Sequence, residues 1–164
     1  MANQQEQSDE ALIAEIGHVL FIDIVGYSKS PMEEQHRAVQ NLQEIVQLSP
    51  AFAASHAEDA SLVLPTGDGM ALVFFRDVAA PVRTATEIHR AAKKVGLQLR
   101  MGIHSGPVYK VKDINLNRNV AGGGINIAQR VMDCGDAGHI LVSDTVAGFL
   151  RQFGDWARCP ARPR

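Results

Sequence analysis

Residues 61–75 read SLVLPTGDGMALVFF, two runs of strand-forming side chains around Pro65-Thr66-Gly67-Asp68-Gly69. This is the pattern of an antiparallel hairpin, with Asp68-Gly69 supplying the positive-φ chemistry of a tight turn. Upstream, residues 18–23 (HVLFID) are nearly all apolar and read as a strand buried in the middle of a sheet. Between the two runs a helix is predicted. Ser30, Pro31 and Glu33 supply its N-cap, first-turn proline and capping-box acid, and Val39, Leu42, Ile45 and Val46 form one apolar stripe. Pro50 ends it, and residues 51–57 suit a short second helix. Downstream of the hairpin, Asp77 caps a helix that turns Val78, Val82, Ala85, His89, Ala92 and Val95 inward and stops at Gly96. Leu97, Leu99, Met101 and Ile103 then alternate with Gln98, Arg100, Gly102 and His104, as a half-buried strand does.

Beyond that strand, Gly106-Pro107 is expected to bend the chain into a polar hairpin or loop over 108–120. Gly122-Gly123-Gly124 opens a helix with Ile125, Ala128, Gln129 and Met132 on one side. Residues 139–142 read as another strand, followed by a helix from Asp144 that uses Val146, Phe149, Leu150 and Phe153. The order strand, helix, strand, strand, helix, strand is that of the split βαβ arrangement. It predicts an α+β fold of ferredoxin-like type, a mixed sheet with its helices packed on one face. The expected organisation is a lead-in over 1–15, one domain over 16–156, and an irregular tail over 157–164 (ARCPARPR).

A chain of 164 residues fits one domain and buries a core without metal or disulfide staples. The net charge of −2 argues against an electrostatic grip on nucleic acid or anionic lipid. Cys134 and Cys159 stand at no metal-like spacing, which suits free thiols in a reducing compartment. The polar, acidic start is no signal peptide, and no apolar run reaches the length of a membrane span, so a cytoplasmic location is expected.

Two acids stand in unusual settings. Asp23 lies on an otherwise apolar strand, as a surface-pointing strand-end residue or as a ligand; Asp68 is turn chemistry or a ligand. Together they suit a pair of carboxylates on adjacent strands that could hold two divalent ions. Asn126 and Arg130 are four apart on one predicted helix and face the same way. His89, His104 and His139 lack companions at metal-ligand spacing and read as structural, and Lys93-Lys94 as a solvated helix end.

Four segments carry a resemblance: FIDIVGYS (21–28), TGDG followed by MALVFF (66–75), RMGIHSGPV (100–108) and GGGINIAQR (122–130). In this order and spacing they are similar to class III adenylate and guanylate cyclases, over about His18 to Phe153. The resemblance implies conversion of a nucleoside triphosphate to a 3′,5′-cyclic nucleotide and pyrophosphate, with two Mg2+ or Mn2+ ions. It makes Asp23, Asp68 and the backbone of Ile24 the metal site. The backbone of Ile24, Val25 and Gly26, with Tyr27 and Arg100, would hold the terminal phosphates. Asn126 and Arg130 would act on the ribose and the α-phosphate. It further implies a homodimer whose active sites are shared, with Asp23, Asp68 and Arg100 from one protomer and Asn126 and Arg130 from the other.

The base-selecting positions fall at Leu64 and Asn119, where neither the adenine pair nor the guanine pair of the family stands. In that respect the chain resembles bacterial cyclases that make cyclic CMP or cyclic UMP in antiphage signalling, so UTP or CTP is the expected substrate, with an adenylate cyclase as the alternative. Family domains continue past the last helix into further strands, which are expected to be missing here. Two other classes are weighed: a catalytically silent nucleotide-binding domain, and a ferredoxin-like RNA binder, which the net charge and the two tyrosines disfavour.

Overall fold

The strand announced by HVLFID takes the middle of the sheet, and its position explains its composition. The structure is a computed structural model and describes residues 13–112 and 118–154. Strand β1 (Ala14–Ile24) begins four residues before the apolar run and pairs antiparallel with β3 (Gly69–Phe74) on one side and β4 (Leu99–Lys112) on the other. Strand β2 (Ser61–Pro65) closes the predicted hairpin on β3, and β5 (Arg118–Ala121) extends β4 at the far edge. The order is β2-β3-β1-β4-β5, with β6 (Ile140–Val142) parallel to β4, so the sheet is mixed and its β2-β3-β1-β4 core is the ferredoxin-like arrangement.

Helices α1 (Met32–Leu48), α2 (Pro50–Ala57), α3 (Ala80–Lys94), α4 (Gly123–Asp133) and α5 (Asp144–Leu150) connect the strands. Expectation and structure part over where they pack. Leu20, Ile22, Leu72, Phe74, Met101 and Ile103 meet Leu42 of α1, Ile88 of α3 and Val146 of α5 on one face. Val19, Phe21, Val73 and Val108 meet Ala128 and Met132 of α4 on the other. A single covered face was expected; both faces are covered. This is why β1 is an unbroken apolar run rather than an alternating one. Phe74 and Ile88 are fully enclosed, so truncating either to alanine costs about 2–5 kcal/mol.

Three local readings need correcting. Helix α1 starts without the predicted capping box; Ser30 Oγ donates to Gly26 O, and Gln35 Nε2 satisfies the carbonyls of Tyr27 and Ser30 instead. In the hairpin turn the left-handed residue is Gly67, at φ 86°, while Gly69 is required for a different reason. A Cβ there would lie 1.9 Å from Ile22 O, so only glycine lets the turn approach β1. Finally, β4 does not bend at Gly106-Pro107 but runs on to Lys112. Met101 N donates to His139 O and Ile103 O accepts from Ser143 N, so odd-numbered residues of β4 aim their polar groups at its outer edge. Pro107 is in the same phase and falls between β6, paired as far as Ile103, and β5, paired from Tyr109. Its missing N–H therefore costs the ladder nothing. The readings for residues 1–12, for 113–117 and for the end of the chain from 155 lie outside the described residues.

Candidate active site

Asp23 stands at the end of β1, opposite Gly69 of β3 and Arg100 of β4. This register, set by the pairing of three strands, brings residues 23, 68 and 100 together on the face that α4 covers. Arg100 Nη2 donates to Asp23 Oδ2 at 2.6 Å and lies 3.9 Å from Asp133 Oδ1 at the end of α4. The other Asp23 oxygen, Oδ1, is buried with no hydrogen-bond partner among the described residues. An orphaned buried carboxylate oxygen calls for an explanation, and a cation is the simplest one. Burial holds the Asp23 carboxyl above the usual carboxylate range, and the neighbouring Asp68 pushes the same way against the pull of Arg100. The Arg100 guanidinium is held above its ordinary value, chiefly by its bond to Asp23.

Residues 23–28, Asp68, Arg100 and 135–137 line an open cleft of about 430 Å³. Of the amides expected to hold phosphate, two are already committed: Ile24 N donates to Asp68 O and Val25 N to Gln98 O. Among the described residues the amides of Gly26, Tyr27 and Ser28 have no acceptor, and there the chain turns left-handed at Gly26 (φ 76°) into a 3-10 turn over Tyr27–Lys29. The amides open to an anion thus begin two residues further along than the sequence suggested, because the Ile24 and Val25 N–H groups are already bonded. Gln35, absent from the sequence reading, clamps this turn through the Tyr27 and Ser30 carbonyls at 2.9 and 3.0 Å. No pattern in the sequence distinguishes that glutamine from its neighbours.

Asn126 and Arg130 are exposed on α4 and take no part in that cleft. Asn126 lines a second one, about 640 Å³, together with Leu64, Thr66, Asn119, Gly122 and Ile125. Leu64, Asn119 and Asn126 thus line one cleft, and the two clefts have no lining residue in common. Asn119 Oδ1 accepts a hydrogen bond from Val120 N at 2.9 Å, which holds the side chain and, among the described residues, leaves it one oxygen lone pair and its amide hydrogens.

The three histidines that the sequence marks as structural, His89, His104 and His139, have structural settings. His104 bonds the Ser143 hydroxyl that caps α5, and burial lowers its pKa; His139 Nδ1 accepts from Asp136 N; His89 is half-buried on α3. Among the described residues no three His, Cys, Asp or Glu side chains gather at one point, so a closed metal cage is absent there. Two carboxylates and open space fit instead a hard cation that completes its shell with water and substrate phosphates.

The adenylate and guanylate cyclase catalytic domain family matches residues 69–159, more than half of the chain. The chain belongs to that family. Arg100, Asn126 and Arg130 of this nucleotide cyclase domain fall within the matched segment, whereas Asp23 and Asp68 precede it and are brought to Arg100 by the fold. The catalytic core of a rhodopsin–guanylyl cyclase with converted specificity, in complex with ATPαS, superposes with a TM-score of 0.69 at 22% identity, covering 89% of this chain and 86% of that one. The dimeric guanylyl cyclase domain of the RhoGC fusion protein from Blastocladiella emersonii gives 0.66 at 22%, covering 86% and 87%. An adenylate/guanylate cyclase/hydrolase from Silicibacter pomeroyi gives 0.62 at 26%, covering 85% and 82%. No curated protein matches the sequence. Among the described residues no helix of the cyclase domain is long and apolar enough to cross a membrane.

Proposed function

We propose that this cyclase domain converts UTP to 3′,5′-cyclic UMP and pyrophosphate, at sites formed between two copies of the chain. The ribose 3′-oxygen bonds to the α-phosphorus, the bond from that phosphorus to the bridging oxygen breaks, and pyrophosphate leaves while the 3′-hydroxyl proton passes to solvent. Asp23 and Asp68, with the Ile24 backbone, would hold two Mg2+ or Mn2+ ions, which supply a lowered pKa at the 3′-hydroxyl and neutralise phosphate charge. The amides of Gly26, Tyr27 and Ser28 converge on the terminal phosphates. Arg100 adds a charged donor to the same phosphates. Asn126 orients the ribose, and Arg130 stabilises the charge that develops at the α-phosphate.

The observation that carries the shared site is the division into two clefts: one copy puts its acids and anion turn in the first and Leu64, Asn119 and Asn126 in the second. A two-fold dimer joins the first cleft of one copy to the second of its partner and produces two equivalent sites. The choice of base rests on Asn119 and Leu64. The free amide nitrogen of Asn119 is a donor and suits a carbonyl oxygen, which uracil presents on both sides of N3 and cytosine on one side only. Adenine presents no carbonyl oxygen, and only its ring nitrogens could accept from that donor. Guanine would leave its N1–H and amino donors facing Leu64 unpaired, a buried loss that discriminates strongly. A pyrimidine product is also what would place the domain among antiphage signalling cyclases.

The test is a competition with equal concentrations of ATP, GTP, CTP and UTP in Mn2+, with products identified by mass spectrometry. Cyclic UMP should dominate, and Asp23→Ala or Asp68→Ala should abolish turnover in a folded protein. Dominant cyclic AMP would sink the pyrimidine choice and favour the adenylate reading. No cyclic product from any triphosphate would favour a silent nucleotide-binding domain.

A further inference from the structure

The contact between Arg100 and Asp23 conflicts with the metal reading on which this inference rests. A guanidinium at 2.6 Å occupies Asp23 Oδ2 and places positive charge where a divalent cation must enter. Asp23 Oδ1 stays open, but a cation there would stand beside the guanidinium on Oδ2, so repulsion between the two positive charges favours metal loading with Arg100 moved aside. The structure shows where it can go. Asp133 Oδ1 is 3.9 Å from the same Nη2, and among the described residues Asp133 makes no other ion pair or hydrogen bond. It is the last residue of α4, where the helix dipole disfavours a negative charge, so a helix-stabilising role does not account for it. Its position is fixed rather than fortuitous. Gly102, two residues along β4 from Arg100, has no side chain, and the backbone of α4 at Ala128 and Met132 lies in the space a Cβ would fill. The end of α4 is thereby held against the strand that carries Arg100.

We propose that Arg100 is a cationic placeholder on Asp23 that yields to a divalent ion, and that Asp133 is the positioning residue that receives the displaced guanidinium. In the metal-free protein Arg100 compensates the buried charge of Asp23. When a cation arrives, the guanidinium swings to Asp133 without backbone movement and stands ready for the terminal phosphates. Loading the metal and aiming the arginine are then one event.

Direct Mn2+ binding to the full chain, without nucleotide, tests this, with free Mn2+ followed by electron paramagnetic resonance in mildly alkaline buffer. Arg100→Gln removes the competing cation and should tighten Mn2+ roughly five- to thirtyfold. Asp133→Asn should weaken it by about two- to fivefold. A uniform field would do the same, so the decisive comparison is a double-mutant cycle. In the Arg100→Gln background Asp133→Asn should lose its effect, and Asp133→Glu in the native background should restore binding. Asp136→Asn, an exposed acid lining the same cleft, reports the plain loss of one negative charge and should act alike with and without Arg100. Nitrogen NMR of the arginine side chains with Mg2+ offers a measurement without substitution at Arg100: its guanidinium signal should shift on loading, and shift less in Asp133→Asn. An Asp133→Asn effect of equal size in both backgrounds, or an Arg100 signal indifferent to Mg2+ that does bind, overturns the inference and leaves the metal site standing. Absence of Mn2+ binding in the native protein and every variant overturns the metal reading and this inference together.

Discussion

Gly102→Ala isolates the packing that holds α4 to the site. The added Cβ would lie 2.3 Å from Met132 N, 2.6 Å from Ala128 O and 2.7 Å from Met132 Cα, all backbone atoms that no rotamer change can move. Ordinary contact begins near 3.4 Å, so the helix must lift from the strand by about 1 Å. The lift carries Asp133, now 3.9 Å from Arg100, beyond ion-pair reach and tilts Asn126 and Arg130 with the same rigid element. Overpacking of this kind costs about 1–3 kcal/mol. In a domain of this size that is a fall in melting temperature of roughly 3–10 °C. Displacing reactive groups by about 1 Å lowers turnover by about a hundredfold. Gly123→Ala is the matched control, because nothing lies within 4 Å of its added Cβ, and it should stay within about 0.5 kcal/mol of the native protein. Calorimetry and initial rates of cyclic nucleotide formation in Mn2+ read both effects. A Gly102→Ala protein that melts with the native one and turns over within twofold of it refutes the argument, since it would mean that α4 is free to relax without consequence.

Two further outcomes follow from the same geometry. An inactive Asp23→Ala protein mixed with an inactive Arg130→Ala protein should regain activity under conditions of subunit exchange, because a heterodimer carries one intact site; no recovery where exchange is demonstrated contradicts the shared site. The raised pKa of Asp23 means that the folded chain holds this proton more tightly than the unfolded chain. Its contribution to stability is therefore complete below the ordinary carboxylate pKa and is lost as pH rises through the raised folded value. Metal-free native protein should lose melting temperature with rising pH relative to Asp23→Asn, and Mn2+ should recover that loss only where Asp23 is ionised; a pH-independent gap between the two proteins rejects the effect.

The sequence by itself determined the elements whose signals are local. The apolar run before Asp23 is a strand, the segment around Gly67 is a hairpin, and the triple glycine opens α4, because burial periodicity and turn chemistry are written within a few residues of each other. Strand order followed from the alternation of strands and helices, since short right-handed crossovers leave few alternatives. Tertiary structure decided everything that depends on neighbours distant in the chain. Pro107 reads as a breaker until the gap between β5 and β6 shows that its absent N–H had no partner to lose. Ile24 and Val25 read as phosphate donors until Asp68 O and Gln98 O claim their amides, which leaves the amides of Gly26–Ser28 for the proposed phosphate contacts. Asn119 reads as an unattached amide until Val120 N takes one lone pair of its oxygen and fixes how the side chain is held. Asp133 carries no signal at all, because its importance comes from Gly102, thirty-one positions earlier, letting a helix backbone rest on the strand beside Arg100. Side-chain identity is local, but the availability of a donor, an acceptor or a charge is set by what packs against it, and that is a property of the folded chain.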